Sequence, residues 1–226
     1  MVTKNKCMII AAAPIEDNKV FIEFNPNDYL IICADKGYET AQKFGISPDY
    51  IVGDFDSSSI NPEGIFENVH VLPVEKAVTD TMYAAMLGLK LGFREFLIVG
   101  GTGGPRSDHT IANYNVMLYL SKKGASSIMV DNYTETFLLN GKRLILTELE
   151  NRTVSIFPFG SSSCNITLKG FKYSLPDGEV SADNSPSRGE LTAGGMIMGV
   201  SNEINSEKAE IMVHYGNALV IVNNEL

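Results

Sequence analysis

Short apolar runs alternate with helical patterns over the first part of the chain. The apolar runs are rich in Ile, Val and Leu, which is typical of buried parallel strands. Between them lie helical patterns at about 36–45, 80–92 and 107–123. Repetition of strand and helix predicts an α/β domain with a mainly parallel sheet. The predicted strands are 7–13, 29–34, 50–54, 69–74, 96–101 and 127–131.

Capping residues mark the start of two of these helices. Thr79 or Asp80 can cap the second helix, and Ser107 or Asp108 the third. Short polar side chains at these positions accept hydrogen bonds from the free backbone N–H groups of the first turn. We therefore expect helices that begin close to residues 80 and 107.

After about residue 137 the helical pattern stops and short β patterns follow. The runs "RLILTEL", "TVSIFPFG", "NITLKGFKYSL", "AEIMVHYG" and "ALVIVNN" are separated by turn pairs such as "NG", "FG" and "GN". Such spacing predicts a small antiparallel sandwich. The segment 176–195 has little core-forming content and is predicted to be a long loop. The predicted domains are 1–137 and 138–226.

Composition narrows the classes of partner. The 226 residues are 44% hydrophobic and 20% charged, as in an ordinary globular protein. The formal net charge is −9 without any basic run, which disfavours nucleic acid and anionic membrane surfaces as partners. Neither is expected to bind, and no apolar run approaches membrane-spanning length. Three widely spaced cysteines favour a cytoplasmic location.

Polar clusters follow four of the predicted strands. They are "CADKG", "GDFDSS", "EKAVTD" and "GGTGGPRSDH", and the carboxyl ends of strands are where open α/β sheets bind ligands. In an extended chain Asp54 and Asp56 point to the same side. Carboxylate oxygens suit Mg²⁺, which usually takes one or two carboxylates and substrate phosphates. The edge would carry Asp35, Asp54, Asp56, Asp80 and Asp108, with Lys76, Arg106 and His109 among them.

Each cluster also has a purely structural interpretation. Aspartate and serine cap helices and start turns, and the glycines of "GGTGG" permit a tight turn. No Gly-Lys-Ser/Thr follows those glycines, so they do not form a P-loop. The functional interpretation is favoured because four separate strand ends carry acids or glycines.

The ordered motifs resemble the thiamine pyrophosphokinase family, also called thiamine diphosphokinase. They are "ADKG", "SPDYIVGDFDS", "EKAVTDTMYAAMLGL", "GGPRSDHTIANYNVML", "SIFPFG", "GFKYSL" and "GVSNE", and they span nearly the whole chain. The resemblance implies an α/β catalytic domain followed by a β-sandwich that contributes to a thiamine site. It also implies a homodimer that transfers diphosphate from ATP to the hydroxyl of thiamine and releases AMP, with Mg²⁺ required.

The resemblance implies roles for individual residues. Asp54, Asp56 and Asp80 correspond to the magnesium site, and these three with Arg106 and Asp108 form the implied catalytic set. Asp108 or Asp80 could accept the proton of the hydroxyl. Ser201 and Asn202 correspond to the thiamine pocket. The implied nucleotide and phosphate contacts are Asp35, Ser57, Lys76, Thr79, His109 and Asn113.

Several positions depart from the family pattern. Ala77 stands where relatives have a second carboxylate of the "KDxTD" motif, and Lys36 stands where they have glycine. Pro105 replaces the glycine before the arginine and fixes its own φ angle. The chain has no tryptophan, so a Tyr or Phe would have to stack on thiamine if stacking is used.

Three alternatives to this function stay open at this stage. The "DxDxS" motif is similar to that of haloacid-dehalogenase-type phosphatases, although it follows the third predicted strand and not the first. A diphosphokinase acting on another heterocyclic alcohol is the second alternative. A nucleotide-binding protein without catalytic activity is the third, and Ala77 is the feature that favours it.

Overall fold

A computed structural model of the chain describes residues 4–54, 69–71, 77–182 and 200–224. The chain forms two compact units, Met1–Asn132 and Tyr133–Leu226. The boundary predicted after residue 137 lies inside a strand of the second unit, Thr134–Asn140.

The first unit contains a parallel sheet. Its strand order is β6-β5-β1-β2-β3-β4, and every neighbouring pair is parallel. Strands β2, β3 and β4 are added one after another on one side of β1, and β5 and β6 are then added on the other side of β1. The strand order therefore reverses between β1 and β5. The strands are β1 (Lys6–Ile10), β2 (Tyr29–Ala34), β3 (Tyr50–Gly53), β4 (Val69–Val71), β5 (Glu95–Val99) and β6 (Ser126–Val130).

Helices follow β1, β2, β4 and β5. The predicted second and third helices begin where expected, at Asp80 and Ser107. One short helix and a 3-10 turn, Pro26–Asp28, follow β1 and were not predicted. No helix in the described ranges has the length and apolar character needed to cross a bilayer. The helices are α1 (Lys19–Glu23), α2 (Gly37–Lys43), α3 (Asp80–Lys90) and α4 (Ser107–Lys122).

The capping prediction is right for α3 and wrong for α4. Thr79 is the N-cap of α3, and its Oγ1 accepts a hydrogen bond from the Met82 N–H at 3.2 Å. The N-cap of α4 is Arg106, which makes no side-chain capping bond. Asp108 cannot cap because it lies inside the first turn, where its carboxylate binds the Arg106 guanidinium.

The core of the first unit explains the continuous apolar runs. Strand side chains such as Met8, Ile10 and Val99 are fully buried, because helices cover the sheet. Gly37, the first residue of α2, lies directly on β1: a Cβ atom there would be 1.9 Å from the Ile10 carbonyl oxygen. The start of α2 is therefore fixed at the carboxyl end of the central strand.

The second unit is an antiparallel sandwich, as predicted. One sheet has the order β12-β9-β14-β7 and the other β11-β10-β13-β8. Apolar side chains from both sheets form one core. The strands are β7 (Thr134–Asn140), β8 (Arg143–Thr147), β9 (Thr153–Pro158), β10 (Ser163–Lys169), β11 (Leu175–Ser181), β12 (Asn202–Glu203), β13 (Lys208–Tyr215) and β14 (Asn217–Asn223).

The predicted loop over 176–195 is wrong for its first residues. Residues 175–181 form β11, which pairs with β10 at the edge of its sheet. An edge strand tolerates Pro176 and shows many exposed side chains, so its local pattern looks like a loop. The run "NITLKGFKYSL" is also not one strand, because β10 ends at Lys169. Residues 183–199 lie outside the described part of the chain.

Candidate functional site

A cavity of about 700 Å³ lies in the first unit, at the carboxyl edge of its sheet. Its walls come from the segments after β1, β2 and β5 and from the starts of α3 and α4. This is where the strand order reverses, the usual place for ligands in open α/β sheets. The polar residues among those that line the cavity are Asp35, Lys36, Thr79, Asp80, Thr81, Arg106, His109, Thr110 and Asn113.

Asp35 is an acid of the cavity whose pKa is shifted by its surroundings. Oδ1 of Asp35 is buried and has no hydrogen-bond partner among the described residues. Burial raises the pKa of this carboxyl, and the negative charges of Asp80 and then Asp54 raise it further. The charge and the backbone N–H of Lys36 act in the opposite direction. Asp35, Asp54 and Asp80, here called the acidic cluster, therefore share one electrostatic environment.

The backbone holds Asp35 in an unusual conformation. Its φ angle is +50°, in the left-handed region that side chains other than glycine, asparagine and aspartate rarely adopt. The Asp35 N–H donates to the Val52 carbonyl at 2.8 Å, which ties the end of β2 to β3. Local strain of this kind persists where surrounding contacts enforce it and is concentrated at functional sites.

The start of α3 brings two predicted residues to the cavity. Thr79 caps the helix, and Asp80 is its first residue. A negative charge in the first turn of a helix interacts favourably with the helix dipole. Ala77 and Val78 precede them as exposed residues of the cavity wall.

Arg106 and Asp108 form a bidentate ion pair at the start of α4. Nε and Nη2 of Arg106 donate to the two carboxylate oxygens of Asp108 at 2.9 and 2.7 Å. This bonding lowers the pKa of Asp108 well below its usual range and raises that of Arg106. Arg106 lines the cavity, whereas Asp108 is not one of its lining residues. The carboxylate therefore orients the guanidinium and is a weak proton acceptor.

Asn113 and His109 both belong to α4 but differ in burial. Asn113 is buried, and its Nδ2 donates to the Gly101 carbonyl at 2.7 Å, so it ties α4 to the turn after β5. His109 is exposed and lines the cavity. Of the two, only His109 has a side chain in open contact with solvent at the cavity.

Contacts that the sequence pattern did not indicate fix two walls. Ala12, Ala13 and Pro14 form the wall after β1, and the Ala13 N–H donates to the Gly100 carbonyl at 3.0 Å. The Thr102 hydroxyl donates to Asp131 at the end of β6. Small apolar residues after a strand carry no chemical signature, so only the fold could reveal them.

The donor chemistry of the acidic cluster fits Mg²⁺. The charges of Asp80 and Asp54 raise the pKa of Asp35, so a cation beside these carboxylates would relieve the repulsion. Within the described ranges no three acidic, histidine or cysteine side chains converge at metal-ligand spacing. A magnesium ion here would use one or two of these carboxylates and take its other ligands from phosphate and water.

Asn202 supports an exposed aromatic ring in the second unit. The side chain of Asn202 is buried; Oδ1 accepts from the Tyr173 N–H at 3.1 Å and Nδ2 donates to the Tyr173 carbonyl at 2.9 Å. Tyr173 is 53% exposed. Ser201 has φ +57°, and its N–H donates to Ser155 Oγ at 3.1 Å. The side chain of Asn202 therefore fixes the backbone of Tyr173.

The structure brings together part of the predicted site. Asp35, Thr79, Asp80, Arg106, His109 and Asn113 line one cavity, and Asp54 acts on it through its charge. Ser201 and Asn202 belong to the second unit. The predicted residues Asp56, Ser57 and Lys76 lie outside the described part of the chain.

Comparison with solved structures supports the fold. Thiamine pyrophosphokinase from Bacillus subtilis superposes with a TM-score of 0.79 at 24% identity, covering 98% of this chain and 100% of that one. Thiamin pyrophosphokinase from Candida albicans gives a TM-score of 0.74 at 15% identity, covering 98% and 90%. The predicted α/β domain followed by an antiparallel β domain is confirmed.

Sequence comparison shows the family of the chain as well as its fold. Residues 21–129 match the thiamin pyrophosphokinase catalytic domain, and residues 143–220 match the thiamin pyrophosphokinase vitamin B1 binding domain. Thiamine pyrophosphokinase from Bacillus subtilis (strain 168) is 31% identical over 151 residues, which cover 65% of this chain and 70% of that protein. The chain belongs to the thiamine pyrophosphokinase family of ATP-dependent diphosphotransferases.

Proposed function

We propose that this chain transfers the terminal diphosphate of ATP to the hydroxyl of thiamine in a Mg²⁺-dependent reaction. The observation that carries the proposal is the cavity at the switch point of the sheet, which combines an acidic cluster with Arg106 and His109. Carboxylates for a metal ion and cations for phosphate oxygens are the groups that phosphoryl transfer requires.

The reaction forms one P–O bond and breaks another. The thiamine hydroxyl oxygen bonds to the β-phosphorus of ATP, the bond from that phosphorus to the α,β-bridging oxygen breaks, and AMP leaves with this oxygen. The hydroxyl proton passes to a carboxylate. Asp108 is disfavoured as the acceptor because the ion pair with Arg106 lowers its pKa. This leaves Asp80, which lines the cavity, as the acceptor, through the carboxylate oxygen that would not hold the metal ion.

The chain's own residues bind and orient the polyphosphate. Asp54, Asp56 and Asp80 would hold Mg²⁺, which when bound neutralises phosphate charge and fixes the phosphate geometry. Arg106, kept in a defined orientation by Asp108, offers a planar pair of donors to phosphate oxygens. The remaining residues that we assign to nucleotide binding, directly or by holding a neighbouring group, are Asp35, Ser57, Lys76, Thr79, His109 and Asn113.

Recognition of thiamine is assigned to the second unit. Ser201 and Asn202 remain the candidate residues, and Tyr173 is added because Asn202 holds its backbone while its ring stays exposed. An exposed, supported aromatic ring suits stacking on a cationic heterocycle. Tyr173→Phe should preserve the KM for thiamine, whereas Tyr173→Ala should raise it.

We also propose that the chain forms a homodimer and that it is located in the cytoplasm. The family resemblance supports the homodimer. The location is supported by Cys7, Cys33 and Cys164, which are buried free thiols, as expected in a reducing compartment. Sedimentation equilibrium of the full chain tests the dimer, since a mass near that of the 24.6 kDa monomer would contradict it.

A nucleotide-binding protein without transfer activity is the second candidate function. Ala77 favours it, because this exposed cavity residue stands where the family pattern has a carboxylate. Such a protein would bind ATP but form no AMP. Incubation with ATP, Mg²⁺ and thiamine, followed by chromatography for AMP and thiamine diphosphate, separates the two functions. Replacing thiamine with a hydroxymethylpterin tests the diphosphokinase of another heterocyclic alcohol.

A further inference from the structure

Lys36 brings to the cavity a positive charge that has no role in the reaction proposed above. It lines the cavity together with Asp35, Asp80 and Arg106. The residue after it, Gly37, is pressed against the Ile10 carbonyl of β1. This close approach fixes the backbone of Lys36 at the carboxyl edge of the sheet, so its ammonium group can reach only a limited region around the cavity.

The charges around Lys36 differ from those around Arg106. The guanidinium of Arg106 is bound by Asp108 at 2.7 Å, whereas no described carboxylate forms an ion pair with the Lys36 ammonium. The Lys36 charge nevertheless lowers the pKa of Asp35, so it acts at the acidic cluster. Lys36 is therefore close to the place where a metal-bound polyphosphate would lie and is available to bind it.

We propose that Lys36 binds the β- and γ-phosphates of the nucleotide and is a substrate-binding residue of this chain. The proposal rests on the proposed function. A polyphosphate beside Asp35, Asp54 and Asp80 is repelled by their charges, and an ammonium group at the same cavity offsets this repulsion. Lys36 would also supply hydrogen bonds to phosphate oxygens, because ammonium groups are effective point-charge donors to phosphate.

A different role for Lys36 predicts a different result. If its ammonium only neutralised the acidic cluster, its removal would strengthen the binding of Mg²⁺ alone and would weaken both nucleotides to a similar extent, because Mg²⁺-bound α,β-methylene-ATP and AMP carry similar net charges. If it binds these phosphates, its removal weakens the binding of ligands that carry them and leaves AMP, which lacks them, unaffected. The comparison of two nucleotides therefore separates the two roles.

Isothermal titration calorimetry on the full chain tests the proposal. The ligands are α,β-methylene-ATP, whose bridging carbon prevents transfer, and AMP, both with Mg²⁺. Lys36→Met should raise the Kd for α,β-methylene-ATP about tenfold to a hundredfold and leave that for AMP unchanged. Lys36→Arg should recover most of the affinity. Lys122→Met, the matched control, removes the same charge from the exposed last turn of α4 and should change neither Kd.

Equal affinity of Lys36→Met and wild type for α,β-methylene-ATP would overturn the proposal, as would an equal loss of affinity for AMP. Failure of the proposed function is recognised separately. A wild-type protein that forms no AMP but binds the analogue through Lys36 contradicts the transfer activity and supports this inference. A wild-type protein that forms AMP, with no effect of Lys36→Met on binding, contradicts only this inference.

Discussion

Asp35 and Asp108 are two aspartates near the same cavity whose surroundings shift their pKa values in opposite directions. Burial and the charges of Asp80 and Asp54 raise the pKa of Asp35. Hydrogen bonds from Arg106 lower that of Asp108. The first carboxylate is destabilised in its charged form and is suited to binding a cation, while the second is stabilised by a cation already present.

Replacing Asp35 should make the protein more stable at neutral pH. Because the folded-state pKa is raised, the native state binds more protons than the unfolded state between the two pKa values, so stability falls as pH rises through this window. Asp35→Asn removes this loss and tolerates the left-handed backbone. Its melting temperature should exceed that of wild type at pH 7 and match it at pH 3.

Asp177→Asn on the edge strand β11 is the control for this pH comparison and should follow wild type throughout. A lower melting temperature of Asp35→Asn at pH 7 would show that Asp35 is not destabilised by the acidic cluster. The measurement is thermal unfolding by circular dichroism over pH 3–8.

Replacing Asp108 should impair the reaction without affecting stability. Asp108→Asn removes the bidentate partner of Arg106, so the guanidinium loses its fixed orientation. We expect the KM for ATP to rise and kcat/KM to fall about tenfold, within the range of a charge-assisted hydrogen bond. The melting temperature should barely change, because an exposed ion pair contributes little to stability. Unchanged kcat/KM would contradict the positioning role.

At the scale of elements, Asn113 joins α4 to the turn that follows β5. Its buried amide donates to the Gly101 carbonyl, which is also buried. Gly101 lines the cavity, so the hydrogen bond fixes a wall of the site as well as the helix. The motif residue Asn113 therefore acts through the backbone of this turn.

Asn113→Ala should lower the free energy of unfolding by about 1–3 kcal/mol, because it leaves a buried carbonyl without its donor. Asn115→Ala, on the exposed side of the same helix, is the control and should change it by less than about 0.5 kcal/mol. Urea denaturation measures both. An Asn113→Ala variant as stable as the control would show that the hydrogen bond does not hold the turn.

The elements differ in how far the sequence predicts them. Parallel strands such as β2 and the cap at Thr79 follow from local patterns, since burial on both faces and helix capping leave direct marks. β11 could not be predicted, because its strand geometry depends on pairing with the distant β10. The role of Asp108 could not be predicted either, because its position suggested a helix cap, whereas in the structure it binds the Arg106 guanidinium.

At the scale of the whole molecule, strand order creates the site. The chain turns back beside β1, so segments distant in sequence, after β1, β2 and β5, meet around one cavity. The acidic residues after these strands could be listed from the sequence. The participation of Lys36 and of the wall at Ala12, Ala13 and Pro14 required the topology.

Nucleotide binding at this cavity should stabilise the protein. A ligand that binds only the native state adds about 2.7 kcal/mol at a concentration of 100 times its Kd. Mg²⁺ with α,β-methylene-ATP should therefore raise the melting temperature, whereas Mg²⁺ with glycerol 3-phosphate should not. Equal shifts with both ligands would indicate a general anion effect.

The most direct test of the proposed function is AMP formation by wild type and Asp54→Asn. Both proteins are incubated with ATP, Mg²⁺ and thiamine, and the products are separated by chromatography. Wild type should form AMP and thiamine diphosphate in equal amounts, and Asp54→Asn should form neither while keeping the circular dichroism spectrum of wild type. Wild-type protein that releases no AMP, or full activity of Asp54→Asn, would contradict the account.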